Sequence, residues 1–265
     1  MLILLPPSEG KATLSSGDDH DEPVLDLDQL SFPSLNPARS RVLDTVVRLS
    51  RGPKAKARAR LGLSPRQDAE LLRNGRLWES PTRPAGEIYT GVLYEAMARG
   101  TLSAAARLRL DGSVVVVSAL FGAVRLTDPI PAYRLSADVS LPRLGRLATW
   151  WRQPLDDALP DVAADVVFDL RSSSYSTMWT PSGDVADRTI VGRVLHRRPD
   201  GSVQVVSHFN KATKGRLVAG LAKRRTLPRS PQQLIDAVTE LGYGATLVAM
   251  PAGRANRLDL VVDEL

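Results

Sequence analysis

The sequence predicts an α+β fold, with one mixed-sheet domain over residues 1–265 and a helical insertion near residues 36–80. Short apolar segments such as Val114–Val117 are typical of buried strands. They are interspersed with segments whose apolar residues recur at helical spacing. Strands and helices do not alternate regularly, which argues against a doubly wound parallel sheet. No repeat, low-complexity tract or long linker divides the chain.

The first half of the chain is predicted to start with a buried strand and then to become helical. Leu2–Leu5 is an apolar run that two prolines end. A further helix is predicted over roughly 87–99, ahead of the valine strand. Three local signals mark helix ends: Asn36-Pro37 as a cap, Ser64-Pro65-Arg66-Gln67 as a capping box, and Asn74-Gly75 as a stop.

The second half is predicted to contain two hairpins and two helices. A strong turn signal at 198–201 predicts that the segments before and after it pair with each other. The predicted strands are Ala163–Leu170, Thr189–Arg197, Val203–Phe209, Ala245–Met250 and Leu258–Val262. The predicted helices are 211–223 and a segment that Ser230-Pro231 caps and that ends near Gly242.

Positive charge is concentrated in two segments. Arg48–Arg66 holds seven basic residues and no acidic one, and Gly201–Ile235 holds seven more, again without Asp or Glu. Together they contain 14 of the 35 Lys and Arg residues, so the remaining 21 face all 29 Asp and Glu. The net charge of +6 therefore conceals an acidic body with two basic segments. Such segregation creates a local field for DNA, RNA or a phosphorylated small molecule.

Polar side chains follow several of the predicted strands. If those strands share a sheet with aligned ends, the clusters converge in one crevice, where open sheets bind ligands. The candidate catalytic residues are Glu9 and Asp128, as acid or base, together with Lys11. The candidate anion- or DNA-binding residues of these clusters are Ser8, Arg125, Tyr133, Arg134, Ser172, Ser173, Lys211 and Lys214. The alternative interpretation is that each cluster is an ordinary solvated loop.

The predicted helix 211–223 indicates on which side Lys211 and Lys214 lie. Its apolar residues lie on one face at 100° per residue. Lys211 and Lys214 project to that face, whereas Arg216, a further candidate for DNA binding, points away. Two lysines on a packing face require an anion or a carboxylate, and a helix N-terminus favours an anion. The hypothesis is a phosphate or carboxylate site; the alternative is pairing with an internal acid.

Residues 51–75 form a candidate helix-hairpin-helix. Leu61-Gly62-Leu63 would supply the apolar-Gly-apolar hairpin, whose backbone N–H groups grip a phosphate while basic side chains add charge. The candidate DNA-binding residues of this segment are Lys54, Lys56, Arg58 and Gly62. The alternative is that Gly62 is an ordinary helix C-cap.

Several functional classes lack their motif. The absence of cysteine excludes disulfides, thiol catalysis and iron–sulfur clusters. Gly10-Lys11 is not a P-loop, since the required first glycine falls on Leu5 and Ala12 replaces Ser or Thr. A dinucleotide fingerprint and a nucleophile elbow are also missing, and the three histidines are scattered. We therefore predict no cofactor and no metal. With neither a signal peptide nor a membrane span, we expect a cytoplasmic protein without a membrane partner.

Five segments, in order along nearly the whole chain, are similar to motifs of one known family. They are Pro7-Ser8-Glu9-Gly10-Lys11, Tyr89-Thr90-Gly91, Ser118–Arg125 with Asp128–Arg134, Leu170–Tyr175, and Lys211–Gly215. On these segments the chain resembles the YaaA family, named for its peroxide-stress member. It departs from the family pattern at three places. The loop Ser8-Glu9-Gly10-Lys11 differs from the family's Ser-Pro-Ala-Lys form, Arg171-Ser172-Ser173-Ser174 lacks an acidic residue, and Lys214 replaces an arginine.

The resemblance implies a single α+β fold with a helix-hairpin-helix-like element and a basic cleft. It also implies binding to double-stranded or branched DNA and protection against oxidative damage by keeping free iron low. The first functional hypothesis is therefore sequence-independent binding of the DNA backbone. The alternative is an enzyme that acts on a nucleotide-like or phosphorylated small molecule in a pocket formed by the loops after the strands.

Overall fold

A mixed eight-stranded sheet forms the centre of the protein. The computed structural model describes residues 1–12, 22–197, 202–204 and 207–262. Its strands, numbered along the chain, are β1 (Leu2–Leu5), β2 (Arg83–Pro84), β3 (Val114–Ser118), β4 (Gly122–Arg125), β5 (Pro129–Ile130), β6 (Ser140–Leu141), β7 (Gly145–Arg146), β8 (Val167–Asp169), β9 (Thr189–Arg197), β10 (Val203–Gln204), β11 (Gly244–Val248) and β12 (Asn256–Val262).

Helices surround this sheet. Numbered in the same way, they are α1 (Asn36–Ser50), α2 (Lys54–Leu61), α3 (Asp68–Asn74), α4 (Ala85–Ile88), α5 (Val92–Met97), α6 (Ala104–Ser113), α7 (Leu147–Trp150), α8 (Arg152–Ala158), α9 (Ser173–Ser176), α10 (Gly183–Asp187), α11 (Ser207–Lys223) and α12 (Pro231–Glu240). The predicted α+β class is confirmed.

The order of the strands brings the polar loops that follow β8, β1 and β3 next to one another. The sheet runs β11-β12-β9-β8-β1-β3-β4, with β10 paired to β9. Strands β1, β3, β8, β9 and β12 are parallel to one another, whereas β4, β10 and β11 are antiparallel to their neighbours. Parallel strands end on the same side, so we call that side the carboxyl edge. β1 lies between β3 and β8 and is buried along its whole length.

Two groups of helices cover different parts of the molecule. Helices α1, α2 and α3 pack against one another, and α2 also contacts β6. Helix α11 packs on α5, α6 and β9. Gly215 permits the contact between α11 and α5, since a Cβ added there would lie 2.2 Å from the carbonyl oxygen of Leu93.

Most of the local signals in the sequence are confirmed. The Ser64 backbone N–H donates to Gln67 Oε1 at 2.9 Å in the predicted capping box, and α3 ends at Asn74. Ser230 Oγ accepts from the Gln233 backbone N–H at the start of α12. The β11–β12 and β9–β10 pairings are antiparallel, as expected. The predicted turn at 198–201 lies outside the described residues.

Four predicted boundaries are wrong. The helix over 87–99 is interrupted at Gly91, whose φ of +89° ends any helical path. The predicted strand Ala163–Leu170 shortens to β8, which covers only Val167–Asp169. The predicted strand Val203–Phe209 stops early, because α11 begins at Ser207. Asn36 does not cap α1 but is its first residue, and its side-chain amide donates to Leu27 O at 3.1 Å.

Candidate anion-binding site

The loop after β1 is fixed at the carboxyl edge by the segment that follows α4. Lys11 and Tyr89 form an antiparallel bridge, and the Ala12 N–H donates to Ile88 O at 2.9 Å. Ser8 Oγ accepts from the Thr90 N–H at 3.1 Å. The backbone therefore holds Ser8 and Lys11 in place beside the ends of β1 and β3.

The ammonium group of Lys11 is enclosed by a carbonyl oxygen and aromatic rings. Its Nζ donates to Ser8 O at 2.7 Å. It lies 4.1 Å from the ring centre of Tyr133 and 5.5 Å from that of Tyr89. No carboxylate of the described residues lies within 4 Å of this nitrogen. Cation–π contacts partly replace its lost hydration, but no carboxylate in the described part of the chain forms an ion pair with the ammonium.

Burial lowers the pKa of Lys11 from 10.5 to about 7. Desolvation is the main cause, and the positive charges of Arg134 and Arg73 lower the pKa further. Glu70 and Glu9 act in the opposite direction. The neutral amine of Lys11 is therefore far more populated near pH 7 than that of an ordinary lysine, which is almost fully protonated there.

Three hydroxyl groups form a chain beneath Lys11. Ser118 Oγ accepts from the backbone N–H groups of Leu120 and Phe121, both at 3.2 Å. Its own proton is therefore directed to Tyr133 Oη, 2.7 Å away, and Tyr133 Oη lies 3.0 Å from Tyr89 Oη. Burial raises the pKa of both tyrosines, so both remain neutral phenols at physiological pH.

Arg134 closes one side of the site. Its guanidinium donates to Glu9 Oε2 at 2.9 Å, and the Glu9 side chain remains 85% exposed. The Arg134 backbone is held by the buried side chain of Asn74, at the end of α3. Helix α3 also brings Glu70 and Arg73 close enough to Lys11 to change its pKa. Helix α3 therefore adjoins the Lys11 site.

Lys214 reaches the same edge from the opposite side. Its Nζ donates to Leu170 O at 2.8 Å, and desolvation lowers its pKa. Leu170 in turn donates its backbone N–H to Leu4 O, so Lys214 ends one strand away from β1. Lys214 lies two turns into α11, which begins at Ser207.

The other basic residues of α11 do not join Lys214. Lys211 is exposed, so the prediction that it lies on the packing face is wrong. Arg216 is exposed as well, and its charge acts on Tyr243 rather than on the Lys11 site. Lys214 is the one of these three basic residues that is partly buried, with a hydrogen bond to Leu170 O.

A buried ion pair lies at the end of β8. Arg171 contacts Asp169 through Nε at 2.9 Å and through a second nitrogen at 2.6 Å, and both side chains are almost fully buried. Ser172 is exposed at the start of α9. Ser173 is exposed too, and it lines a groove of about 640 Å³ together with Trp179.

Two candidate residues lie away from this site. Strand β4 runs antiparallel to β3, and Arg125 pairs with Val115 near the start of β3, so the chain has left the carboxyl edge by that point. The Arg125 guanidinium donates to Gly112 O at 2.9 Å. The Asp128 carboxylate accepts from the Ser31 N–H, the Ser31 hydroxyl and the Arg125 N–H. The expected gathering of Arg125 and Asp128 with Lys11 is therefore wrong.

Arg39 has a structural position beside Asp128. It is fully buried and donates to the carbonyl oxygens of Ser31, Phe121 and Ala123. Burial lowers its pKa to about 10, and Asp128 opposes that shift. Arg39 remains charged at neutral pH and fixes the loops around β4.

Helix α2 presents unpaired positive charge to solvent. Ala57 and Leu61 are buried, so Lys56 and Arg60 point outward, and neither forms a salt bridge with a described carboxylate. Arg58 differs from them, since it pairs with Asp68 at 2.8 Å. Lys54 lies 3.5 Å from Asp68 but is 65% exposed.

The backbone N–H groups of the hairpin after α2 bond to the last turn of that helix. Gly62 has a φ of +66°, and its N–H donates to Arg58 O, as does the N–H of Leu63 at 3.0 Å. Gly62 is therefore a helix C-cap, the alternative that the sequence allowed. A phosphate grip by these amides and a basic cleft that joins the two basic segments both stay predictions.

The sequence is similar to known proteins over most of its length. A profile described as peroxide stress protein YaaA matches residues 1–246. The chain belongs to this YaaA family. A UPF0246 protein of Streptomyces coelicolor is 48% identical over 268 residues and covers 100% of both chains. One from Corynebacterium efficiens is 40% identical over 99% of this chain and 100% of its own length, and one from Streptococcus pneumoniae is 24% identical over 76% and 81%.

Family membership associates the protein with peroxide stress. The YaaA-like segments recognised in the sequence supply Lys11, Tyr89, Tyr133, Arg134 and Lys214, the candidate residues at the carboxyl edge. Among the described residues, no helix has both the length and the apolar character that crossing a membrane requires. In the same part of the chain, no three His, Asp or Glu side chains gather as metal ligands.

Proposed function

We propose that this YaaA-family protein binds double-stranded or branched DNA through contacts with the phosphate backbone. The observation that best supports the proposal is the pair Lys56 and Arg60, one turn apart on the exposed side of α2 and without carboxylate partners among the described residues. Free surface cations of this kind neutralise phosphates and release the counterions condensed on DNA. They make no base contacts, so binding would not depend on sequence.

The protein would then act by covering DNA during peroxide stress. Because contacts between side chains and phosphates do not depend on the DNA sequence, they would allow the protein to protect DNA of any sequence. Any lowering of free iron would be indirect in this proposal.

Fluorescence anisotropy with a labelled duplex and a four-way junction tests the DNA proposal. The affinity of the wild type should fall steeply as the salt concentration rises from about 50 to 200 mM, as expected for phosphate contacts. The double variant Lys56→Ala/Arg60→Ala should bind more weakly. The slope of log K against log salt should decrease by up to about 2, one unit for each phosphate that the variant no longer neutralises.

The double variant Lys223→Ala/Arg225→Ala is the matched control. It removes the same net charge from exposed positions at and just after the end of α11. Its effect should be much smaller if α2 holds the DNA. Equal losses in both variants would show that only net charge matters, and a wild-type affinity that does not change with salt would refute backbone binding.

A second candidate function is supported by Lys11. DNA binding on α2 does not require a desolvated lysine that lies between Tyr89 and Tyr133 and has no carboxylate partner among the residues the structure describes. Such a group stabilises an anion or reacts as an amine. We therefore propose that the carboxyl edge holds a phosphorylated or nucleotide-like small molecule, with Arg134 and Lys214 as further cations.

Separate substitutions distinguish the two functions. Lys11→Arg should remove binding of a sugar phosphate, measured by calorimetry, while DNA affinity stays unchanged. Lys56→Ala/Arg60→Ala should have the reverse effect. If Lys11→Arg weakens only DNA binding, the small-molecule function is wrong.

A further inference from the structure

We infer that Lys11 is a covalent binding site for the open-chain aldehyde of a phosphorylated sugar. The inference rests on the second candidate function above and names its substrate class. Lys11 Nζ lies against the Tyr133 ring at 4.1 Å, donates to Ser8 O, and has no described carboxylate within 4 Å. The residue is half-buried and therefore keeps part of its surface in contact with solvent.

The surroundings of Lys11 favour an amine nucleophile over a fixed cation. A lysine that serves only as an anion clamp gains from full protonation, but desolvation here brings its pKa to about 7. At pH 7 the neutral fraction exceeds that of an exposed lysine, whose pKa is about 10.4, by roughly a thousandfold. Desolvation of this kind is how proteins activate lysines toward carbonyl groups.

The reaction needs no oxidant or reductant. The Lys11 nitrogen lone pair adds to the aldehyde carbon, and the carbonyl oxygen takes up a proton to give a carbinolamine. The nitrogen then loses a proton, and the hydroxyl group leaves as water once it is protonated. A protonated imine between Lys11 and the sugar remains, and addition of water reverses the sequence.

A phosphate group on the sugar would have a second cation at the same edge of the sheet. Lys214 Nζ ends at Leu170 O, one strand away from β1, and adjacent strands are about 4.8 Å apart. The carboxylate closest to Lys214 in charge interaction, that of Asp169, is already paired with Arg171 at 2.6 Å. Lys214 is therefore available to a phosphate at the carboxyl edge.

Reductive trapping tests this inference. The full-length protein is incubated with 2-deoxyribose 5-phosphate and sodium cyanoborohydride, which converts an imine to a stable secondary amine. Intact mass and peptide mapping should show one adduct, on Lys11. Trapping should rise between about pH 6 and 8 as Lys11 loses its proton, and Lys11→Arg should abolish it. Lys214→Ala should reduce trapping of the phosphorylated sugar more than trapping of unphosphorylated 2-deoxyribose.

A duplex that contains an aldehydic abasic nucleotide forms the second arm. Trapping of the duplex but not of the free sugar would assign the aldehyde to damaged DNA, and the reverse would assign it to a metabolite. Equal labelling of exposed lysines such as Lys56 and Lys223, or unchanged labelling of Lys11→Arg, would overturn the inference. Calorimetric binding of the sugar phosphate without any trapping would leave the small-molecule function intact and refute the covalent step alone.

Discussion

The side-chain amide of Asn74 bonds to both backbone polar groups of Arg134. Its Nδ2 donates to Arg134 O at 2.7 Å, and its Oδ1 accepts from the Arg134 N–H at 2.9 Å. Asn74 is fully buried at the end of α3, and Arg134 contributes to the pKa of Lys11. This one amide therefore links helix α3 to the Lys11 site.

Asn74→Asp should destabilise the protein although it preserves shape. An aspartate still accepts from the Arg134 N–H, but it cannot donate to Arg134 O, and an unsatisfied buried group costs about 1–3 kcal/mol. Urea denaturation measures the loss. Asn256→Asp is the control, since Asn256 is only half-buried and accepts from the Met250 N–H, which a carboxylate does equally well. Equal effects of the two substitutions would mean that the Asn74 side chain contributes nothing through its bonds to Arg134.

Gly215→Ala should disrupt the packing of α11 on α5. The added Cβ would lie 2.2 Å from Leu93 O and 2.9 Å from the Met97 nitrogen, both backbone atoms that cannot turn aside. Overpacking typically costs about 1–3 kcal/mol, and the upper end of that range applies where backbone must move. Because α11 supplies Lys214, sugar phosphate binding should also weaken. Thermal unfolding and calorimetry measure the two effects.

Gly112→Ala provides the comparison for Gly215→Ala. Gly112 lies in α6, and an added Cβ there meets nothing within 4 Å. Alanine is the better helix former by about 1 kcal/mol, so this variant should be neutral or more stable. A loss of stability as large as that of Gly215→Ala would show that the close approach to Leu93 is not the cause.

The residues that the sequence could predict are those that follow parallel strands. Lys11 was accessible to this argument, because β1 is a short apolar run whose end is visible in the sequence. Arg125 and Asp128 misled it because β4 reverses direction immediately after β3, and a hairpin of this kind returns the chain to the other edge. A run of polar residues after a strand does not reveal which way the next strand goes.

Long-range partners could not be derived from the sequence. Asn74 was visible only as a helix stop, and Arg39 as one basic residue in a predicted helix, although the buried guanidinium bonds to residues up to 84 positions away. Tyr89 appeared only through the family resemblance, because its bridge to Lys11 depends on how two distant segments meet. Long-range packing also explains why Lys214 bonds to Leu170 O whereas Lys211, three residues earlier on α11, is exposed.

Asp128→Asn should reduce stability without affecting either proposed function. The neutral amide cannot accept all three hydrogen bonds that Ser31 and Arg125 donate, and it removes a negative charge that acts on Arg39. The expected cost is about 1–3 kcal/mol. Sugar trapping and DNA affinity, measured well below the unfolding temperature, should match the wild type. A loss of trapping at unchanged stability would instead place Asp128 among the reacting groups.

Lys11→Met should stabilise the protein most at low pH. The pKa of Lys11 is about 7 in the folded protein and 10.5 in the unfolded chain. Below pH 7 the lysine is therefore protonated in both states, and the folded state bears the full cost of a buried charge. Between pH 7 and 10.5 the unfolded chain binds the extra proton, so wild-type stability rises there. Urea denaturation should therefore show a gain for Lys11→Met that is larger at pH 6 than at pH 9 by at least about 1 kcal/mol, the equivalent of one pKa unit. Exposed Lys56, changed to Met, should show no such dependence, and a gain at position 11 that stays constant with pH would mean that the ammonium is not desolvated.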